Sequence, residues 1–129
     1  VRRVGDAITP ASPPEGYHEL RIDAKKLRYA LEFVGPIYGK PAIDFSARVT
    51  AMQDVLGLHQ DAYVAMDELE DLAHASARRL GPAALLAMGA ITERYRVQAE
   101  ELRKQFPRVY RAIGGDEWRR LRRMMDGRR

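Results

Sequence analysis

Four side chains in the first third of the chain could together bind an anion. His18, Arg21, Lys25 and Arg28 follow one another at spacings that suit one face of a helix. Because a helix turns by about 100° per residue, these positions fall within an arc of roughly 80°. Glu32 is the one acid on that arc, so the row predicts a site for a negatively charged ligand. From the spacing alone, a solvated basic face explains the row equally well.

The helix that would carry this row has a recognisable start. Residues 12–15, Ser-Pro-Pro-Glu, offer a Ser cap, a proline at the first helical position and a Glu at capping-box spacing. His18 and Arg21 would then lie in the first turns, where the helix dipole already places about half a positive charge. Like charges on neighbouring turns cost roughly 0.2–0.5 kcal/mol each. A polyanion bound beside the helix would remove these costs.

The composition is that of one globular domain. The 129 residues are 46% hydrophobic and 31% charged, which excludes a mainly disordered chain. The 22 Lys and Arg and the 18 Asp and Glu leave a formal net charge of only +4, so an anion site depends on clustering. The chain has no cysteine, which excludes disulfides and thiol chemistry and fits a cytoplasmic location.

Neither a membrane span nor a secretory signal is visible in the sequence. No apolar run approaches the roughly 20 residues that a membrane-spanning helix needs, so we expect no membrane partner. The sequence begins at Val1 rather than Met, which predicts a piece of a longer protein and leaves a removed leader open.

Apolar periodicity and helix breakers predict a series of amphipathic helices. Two prolines and two glycines in residues 35–41 predict a turn, Gly57 predicts a break or a kink, and Gly81 with Pro82 predicts a stop and a new start. No segment alternates apolar and polar residues over a useful length, so we expect no sheet. The predicted helices cover residues 13–34, 42–57, 57–80 and 82–107, followed by a final one around residues 118–125.

These elements predict an all-α fold, an antiparallel four-helix bundle with a short C-terminal basic helix. We expect residues 1–12 to be a linker or the end of a preceding helix, and residues 13–113 to be the bundle. Residues 114–129 would be the basic amphipathic helix. Its apolar stripe, which includes Trp118 and Leu121, is expected to cap the bundle while its arginines stay solvated.

Two motifs in this order resemble a known family. The first, H-x2-R-x3-K-x2-R-Y, runs from His18 to Tyr29. The second, Q-D-x-L-G-x3-D, runs from Gln53 to Asp61. On two helices of an all-helical chain, they resemble the CHAD domain, the conserved histidine α-helical domain. The resemblance extends over roughly residues 1–113.

The resemblance implies a fold and a function. A whole CHAD domain is expected to contain two four-helix bundles related by pseudo-two-fold symmetry, with a basic cleft that binds inorganic polyphosphate. The family often accompanies a CYTH-type domain, is linked to polyphosphate granules and is not known as a catalyst. This chain has the length of one bundle and is most like the second half. We therefore expect either a missing N-terminal half or a homodimer that rebuilds the cleft.

The resemblance also assigns candidate polyphosphate-binding residues. The basic row matches the basic face of the family, and Tyr29 matches the aromatic residue that ends its motif. Lys26 projects about 100° away from Lys25 and is a weaker candidate. Where the family often has a lysine, this chain has Thr50, although Arg48 is close in sequence. Arg94 and Arg96 flank the apolar seam of the predicted fourth helix, where one could line the cleft and either could be a solvated side chain.

The remaining residues that could bind a metal or act in catalysis give weaker evidence for a function. Asp54 and Asp61 could hold a divalent cation that bridges to phosphate, or could bond to backbone or to Arg21 or Arg28. We expect His59 and His74 on polar faces, because no cysteine or close His pair supports a zinc site. No triad and no glycine-rich phosphate loop is present, so we expect no enzyme activity, no cofactor and no metal.

Two other functions stay open at this point. The same basic row could follow the sugar-phosphate backbone of a nucleic acid, although Tyr29 is the only aromatic neighbour for base stacking. The row could also contact an acidic partner protein in an assembly.

Overall fold

The computed structural model describes residues 1–9 and 11–127, and it confirms the all-α prediction. No strand occurs in these residues, and four helices pack against each other. The short helix α1 precedes them. The helices are α1 (Arg2–Asp6), α2 (Pro14–Tyr38), α3 (Lys40–Ser76), α4 (Pro82–Ile113) and α5 (Asp116–Gly127).

The start of α2 differs in detail from the prediction. Pro13 occupies the N-cap position, and no side chain caps the helix. Ser12, the predicted cap, instead accepts a hydrogen bond at its Oγ from the backbone N–H of Thr9, at 2.8 Å. Pro14 takes the first helical position, where its fixed φ and missing N–H cost nothing.

The predicted turn over residues 35–41 shrinks to one residue. α2 continues through Pro36 to Tyr38, and α3 begins at Lys40. Gly39 reverses the chain with a φ of 64°, a conformation that favours glycine, and its N–H donates to the carbonyl oxygen of Gly35 at 2.7 Å. Because the single residue Gly39 connects the two helix ends, no longer loop is needed.

The predicted break at Gly57 is wrong, because α3 runs unbroken across it. A glycine inside a helix costs about 1 kcal/mol relative to alanine. Met52, Leu56 and Ala62 are buried on both sides of Gly57, and their packing outweighs this cost. In the same way, α4 continues past Pro107 because Phe106 and Ile113 are buried before and after it.

All four packed helices share one hydrophobic core. Leu20 and Leu31 enter it from α2, and Phe106 enters it from α4. On α5, Trp118 packs on Phe45 with ring centroids 5.1 Å apart, and only 1% of Leu121 is exposed. The C-terminal helix therefore contributes to the core, whereas its arginines are exposed as expected.

The far end of the α3–α4 pair has no third helix over it. Between residues 63 and 98, no described residue is buried. Leu72 on α3 and Leu86 on α4 are exposed to 51% and 76%. This part of the molecule is therefore a two-helix layer with apolar side chains at its surface.

Exposed apolar residues do not make a membrane span here. Each helix in the described part of the chain is too short or too polar to cross a bilayer.

Candidate functional site

An open groove runs between α2 and α3, and its two walls differ in charge. Arg21 and Arg28 line it from α2. Gln53, Asp54 and Asp61 line it from α3, together with Gly57 and Leu58. The groove has a volume of about 510 Å³. We call it the α2–α3 groove.

Arg21 lies over Gly57 of α3. A Cβ atom at position 57 would be 4.0 Å from Arg21 Nε, so the guanidinium stem passes directly over the glycine. A larger side chain would compete with the arginine for this space. The glycine predicted to break the helix therefore shapes the floor of the groove.

Arg28 has a hydrogen-bond donor that the protein does not satisfy. Its Nε atom is buried and has no hydrogen-bond partner. Glu32 Oε1 lies 3.7 Å away, close enough for an ion pair but too far for a hydrogen bond. Gln53 Oε1, on the other wall, is also buried without a partner. An unpaired buried polar atom costs about 1–3 kcal/mol, so both atoms are sites where a hydrogen-bond partner would stabilise the protein.

Lys25, Lys26 and Tyr29 lie exposed on α2 beside the groove. Lys25 Nζ and Arg28 Cζ are 5.9 Å and 5.3 Å from the ring centroid of Tyr29. Neither lysine forms an ion pair with any residue that the structure describes. These side chains thus add uncompensated positive charge and one exposed aromatic ring outside the groove.

His18 is separated from the rest of the basic row. It lines a different pocket of about 330 Å³, together with Glu15, Gln60 and Asp67 among others. Its Nδ1 atom is buried and has no hydrogen-bond partner. The structure therefore brings Arg21 and Arg28 to one groove and places the imidazole in a separate pocket that two acidic residues also line.

The candidates on α4 do not reach the α2–α3 groove, which α4 does not line. Arg96 is paired on its own helix, with Glu93 and Glu100 both at 2.5 Å. The hydrogen bond from Arg96 lowers the pKa of the Glu93 carboxyl, and the two acids raise the pKa of Arg96. Arg94 is exposed on the same helix. The charge of Arg96 is thus already balanced.

Arg48 and the two groove aspartates can be placed as well. Arg48 pairs with Glu117 at 2.8 Å and so ties α3 to α5. Asp54 and Asp61 face the groove, but within the described residues neither forms an ion pair with Arg21 or Arg28. No group of three or more His, Cys, Asp or Glu in the described part is placed to hold a metal ion.

The prediction that His59 lies on a polar face is wrong, because only 2% of its surface is exposed. Arg103 Nε donates a hydrogen bond to His59 Nε2 at 3.0 Å, so the imidazole is neutral and its proton is on Nδ1. The rings of Tyr17 and Tyr63 lie 4.5 Å and 4.8 Å from it. His74 is exposed, as predicted.

This buried cluster joins α2, α3 and α4 through polar groups. Burial, and secondly the positive charge of Arg103, lower the pKa of His59 from its ordinary 6.5 to about 4. Arg103 also donates to the hydroxyl of Tyr63 at 3.2 Å and lies 4.6 Å from the ring centroid of Tyr17. Sequence reasoning missed Arg103. Its position between the apolar residues Leu102 and Phe106 of α4 could have indicated that it lies near the core.

Comparisons with known proteins agree with the motifs. The model of the CHAD domain matches residues 1–70, which contain α1, α2 and most of α3 with both walls of the groove. The match ends before residue 113, the limit that the motifs had suggested. No curated protein and no solved structure gave a significant match. Since the family model covers more than half of the chain, the protein belongs to the CHAD domain family.

Proposed function

We propose that this protein binds inorganic polyphosphate in the α2–α3 groove without catalysing a reaction. The observation that carries the proposal is the groove that Arg21 and Arg28 line together, in which neither arginine forms an ion pair with the acids of the opposite wall within the described residues. Phosphate oxygens would satisfy their guanidinium donors. Membership of a family that is generally a non-catalytic binding domain supports the same conclusion.

The residues proposed to bind differ in their roles. Arg21 and Arg28 would contact phosphates inside the groove, where a guanidinium can form two parallel hydrogen bonds. Lys25 would contact a neighbouring phosphate at the edge, with Lys26 as an outer contact. Because Arg21 and Arg28 are seven residues apart on α2 with Lys25 between them, the contacts extend over about 10 Å of helix. A chain of phosphates fits that length better than a single phosphate.

His18, Arg94 and Arg96 are not part of this proposed set. His18 lines a different pocket, and Arg96 is neutralised by Glu93 and Glu100 on its own helix. A further helical half, a second copy of the chain and a CYTH-type domain stay predictions from the resemblance.

Nucleic-acid binding is the second candidate, and Tyr29 is the observation that favours it. The ring is 51% exposed and lies beside two cations, so a base could stack on it. One aromatic ring offers one stacking platform, whereas polyphosphate needs none. The cations of this surface favour polyphosphate, which is the more densely charged ligand, over RNA.

A competition experiment separates the two candidates. With a fluorescent single-stranded RNA bound, we expect long-chain polyphosphate to displace it, whereas RNA at equal phosphate concentration should leave bound polyphosphate in place. Fluorescence anisotropy measures both directions. Displacement of polyphosphate by RNA at equal phosphate concentration would instead support the hypothesis that the protein binds nucleic acid.

A further inference from the structure

The outer face of α2 carries a line of large apolar side chains at the surface of the protein. They are exposed to 42%, 51%, 84% and 52%, in the order Ile22, Tyr29, Phe33 and Ile37. At about 100° per residue they fall within an arc of roughly 80°, on the side of α2 opposite to the buried Leu20. We call this line, together with the exposed residue 26 in its first gap, the α2 seam.

The α2 seam has the spacing of a helix that packs on another helix. Its positions 22, 26, 29, 33 and 37 follow one another in steps of three and four residues, as at helix–helix interfaces. α2 thus has apolar residues on two opposite faces, and the core of the protein covers only one of them. A single exposed apolar residue needs no explanation, whereas several in line mark a surface that contacts another molecule.

A second copy of the same seam is complementary to it. When two seams run antiparallel about a two-fold axis near Tyr29, Ile22 lies opposite the partner's Ile37. Lys26 lies opposite the partner's Phe33, so its alkyl stem and ammonium group can pack on that exposed ring. Each apolar residue of one copy therefore contacts the seam of the other. Such a contact uses one surface twice, as the two-fold interfaces of homodimers do.

Charges beside the seam favour the same antiparallel arrangement. Lys25 and Glu32 are exposed, lie on one edge of the seam and are seven residues apart. Lys25 forms no ion pair within the described residues, and Glu32 approaches Arg28 only to 3.7 Å. In an antiparallel pair, each Lys25 comes within reach of the partner's Glu32. In a parallel pair, Lys25 and Lys26 would instead face the same lysines of the other copy and repel them.

We infer that the α2 seam is an interface between two copies of this chain, paired antiparallel. The seam is about 24 Å long, and a contact between two single helices of that length buries less than the roughly 1,200 Å² of a stable interface. The dimer is therefore weak and forms in the micromolar range or above. The inference does not depend on the proposed function, because the seam does not line the α2–α3 groove and its test needs no polyphosphate.

Sedimentation velocity from micromolar to millimolar concentration tests the interface. We expect the wild type to shift from monomer towards dimer. Phe33→Lys should lower the association constant by at least about 30-fold, because it removes the most exposed ring and places a cation opposite the partner's Lys26. Leu86→Lys changes a residue of similar exposure, 76%, on α4 and should associate like the wild type. A wild type that stays monomeric, or an equal loss in both variants, would overturn the inference.

Two further experiments test the antiparallel register. In Phe33→Lys/Lys26→Glu the association should return, because the introduced lysine then faces the introduced glutamate of the other copy. The chain has no cysteine, so single-cysteine variants report the same geometry. Oxidation of an equal mixture of Ile22→Cys and Ile37→Cys should give mainly the disulfide between the two different variants. An exchange that restores nothing, or disulfides mainly within each variant, would refute the antiparallel seam.

Discussion

Replacing Arg21 and Arg28 together by glutamate is expected to lower the affinity for long-chain polyphosphate by at least about 100-fold. A hydrogen bond to a charged group contributes about 1.5–3 kcal/mol, so losing two costs about 3–6 kcal/mol, or a factor of 10² to 10⁴. The new carboxylates would also join Asp54 and Asp61, which would make the whole groove acidic. Isothermal titration calorimetry measures the change.

The matched control reverses the same amount of charge elsewhere. Arg122→Glu/Arg123→Glu changes two exposed arginines on α5, outside the groove. We expect this variant to bind polyphosphate within about fivefold of the wild type, since distant surface charges are largely screened by salt. Circular dichroism should show full helicity for both double variants. If the α5 variant loses as much affinity as the groove variant, binding follows net charge and the site assignment is wrong.

The second large effect is a loss of stability between pH 6.5 and pH 4, caused by His59. In the folded protein its pKa is about 4, whereas the unfolded chain has the ordinary value of 6.5. Above pH 6.5 the imidazole is neutral in both states, so the full stability is present. As the pH falls towards 4, the unfolded chain takes up a proton that the folded protein does not. The free energy of unfolding should therefore fall by about 3 kcal/mol.

Urea unfolding at pH 7, 5.5 and 4 measures this loss. In His59→Gln the side chain cannot titrate but can still accept a hydrogen bond from Arg103, so the slope of stability against pH should be much smaller. In His74→Gln, which changes an exposed histidine, the slope of the wild type should persist. The comparison concerns slopes, because His59→Gln also changes packing. An unchanged slope in His59→Gln would contradict the role given to the buried imidazole.

The helical fold could be predicted because most of its determinants are local. Apolar residues at helical spacing, together with Pro13 and Gly81, placed the starts of α2 and α4 close to where they lie. The errors at Gly57, Pro36 and Pro107 share one cause. Each residue weakens a helix locally by one to a few kcal/mol, and burial of neighbouring side chains against another helix exceeds that cost. A prediction made one segment at a time cannot include this stabilisation by packing against another helix.

The site could be predicted only in part for a similar reason. The arc of roughly 80° put Arg21 and Arg28 on one face of α2, and both line the α2–α3 groove. It could not reveal that α3 divides the row, so that Arg21 and Arg28 face one pocket and His18 faces another. Nor could it show that His59 is buried, because the partners that enclose it, Tyr17 and Arg103, come from two other helices.

The most direct test of the central claim is the salt dependence of polyphosphate binding by the wild type. If Arg21, Lys25 and Arg28 each neutralise a phosphate, the logarithm of the association constant should fall linearly with the logarithm of the salt concentration. By analogy with single-stranded nucleic acid, the slope should be about −2. Calorimetric titration with polyphosphate of defined length at several salt concentrations gives this slope. No binding at low salt, or binding that salt leaves unchanged, would contradict an electrostatic site formed by Arg21, Lys25 and Arg28 on α2.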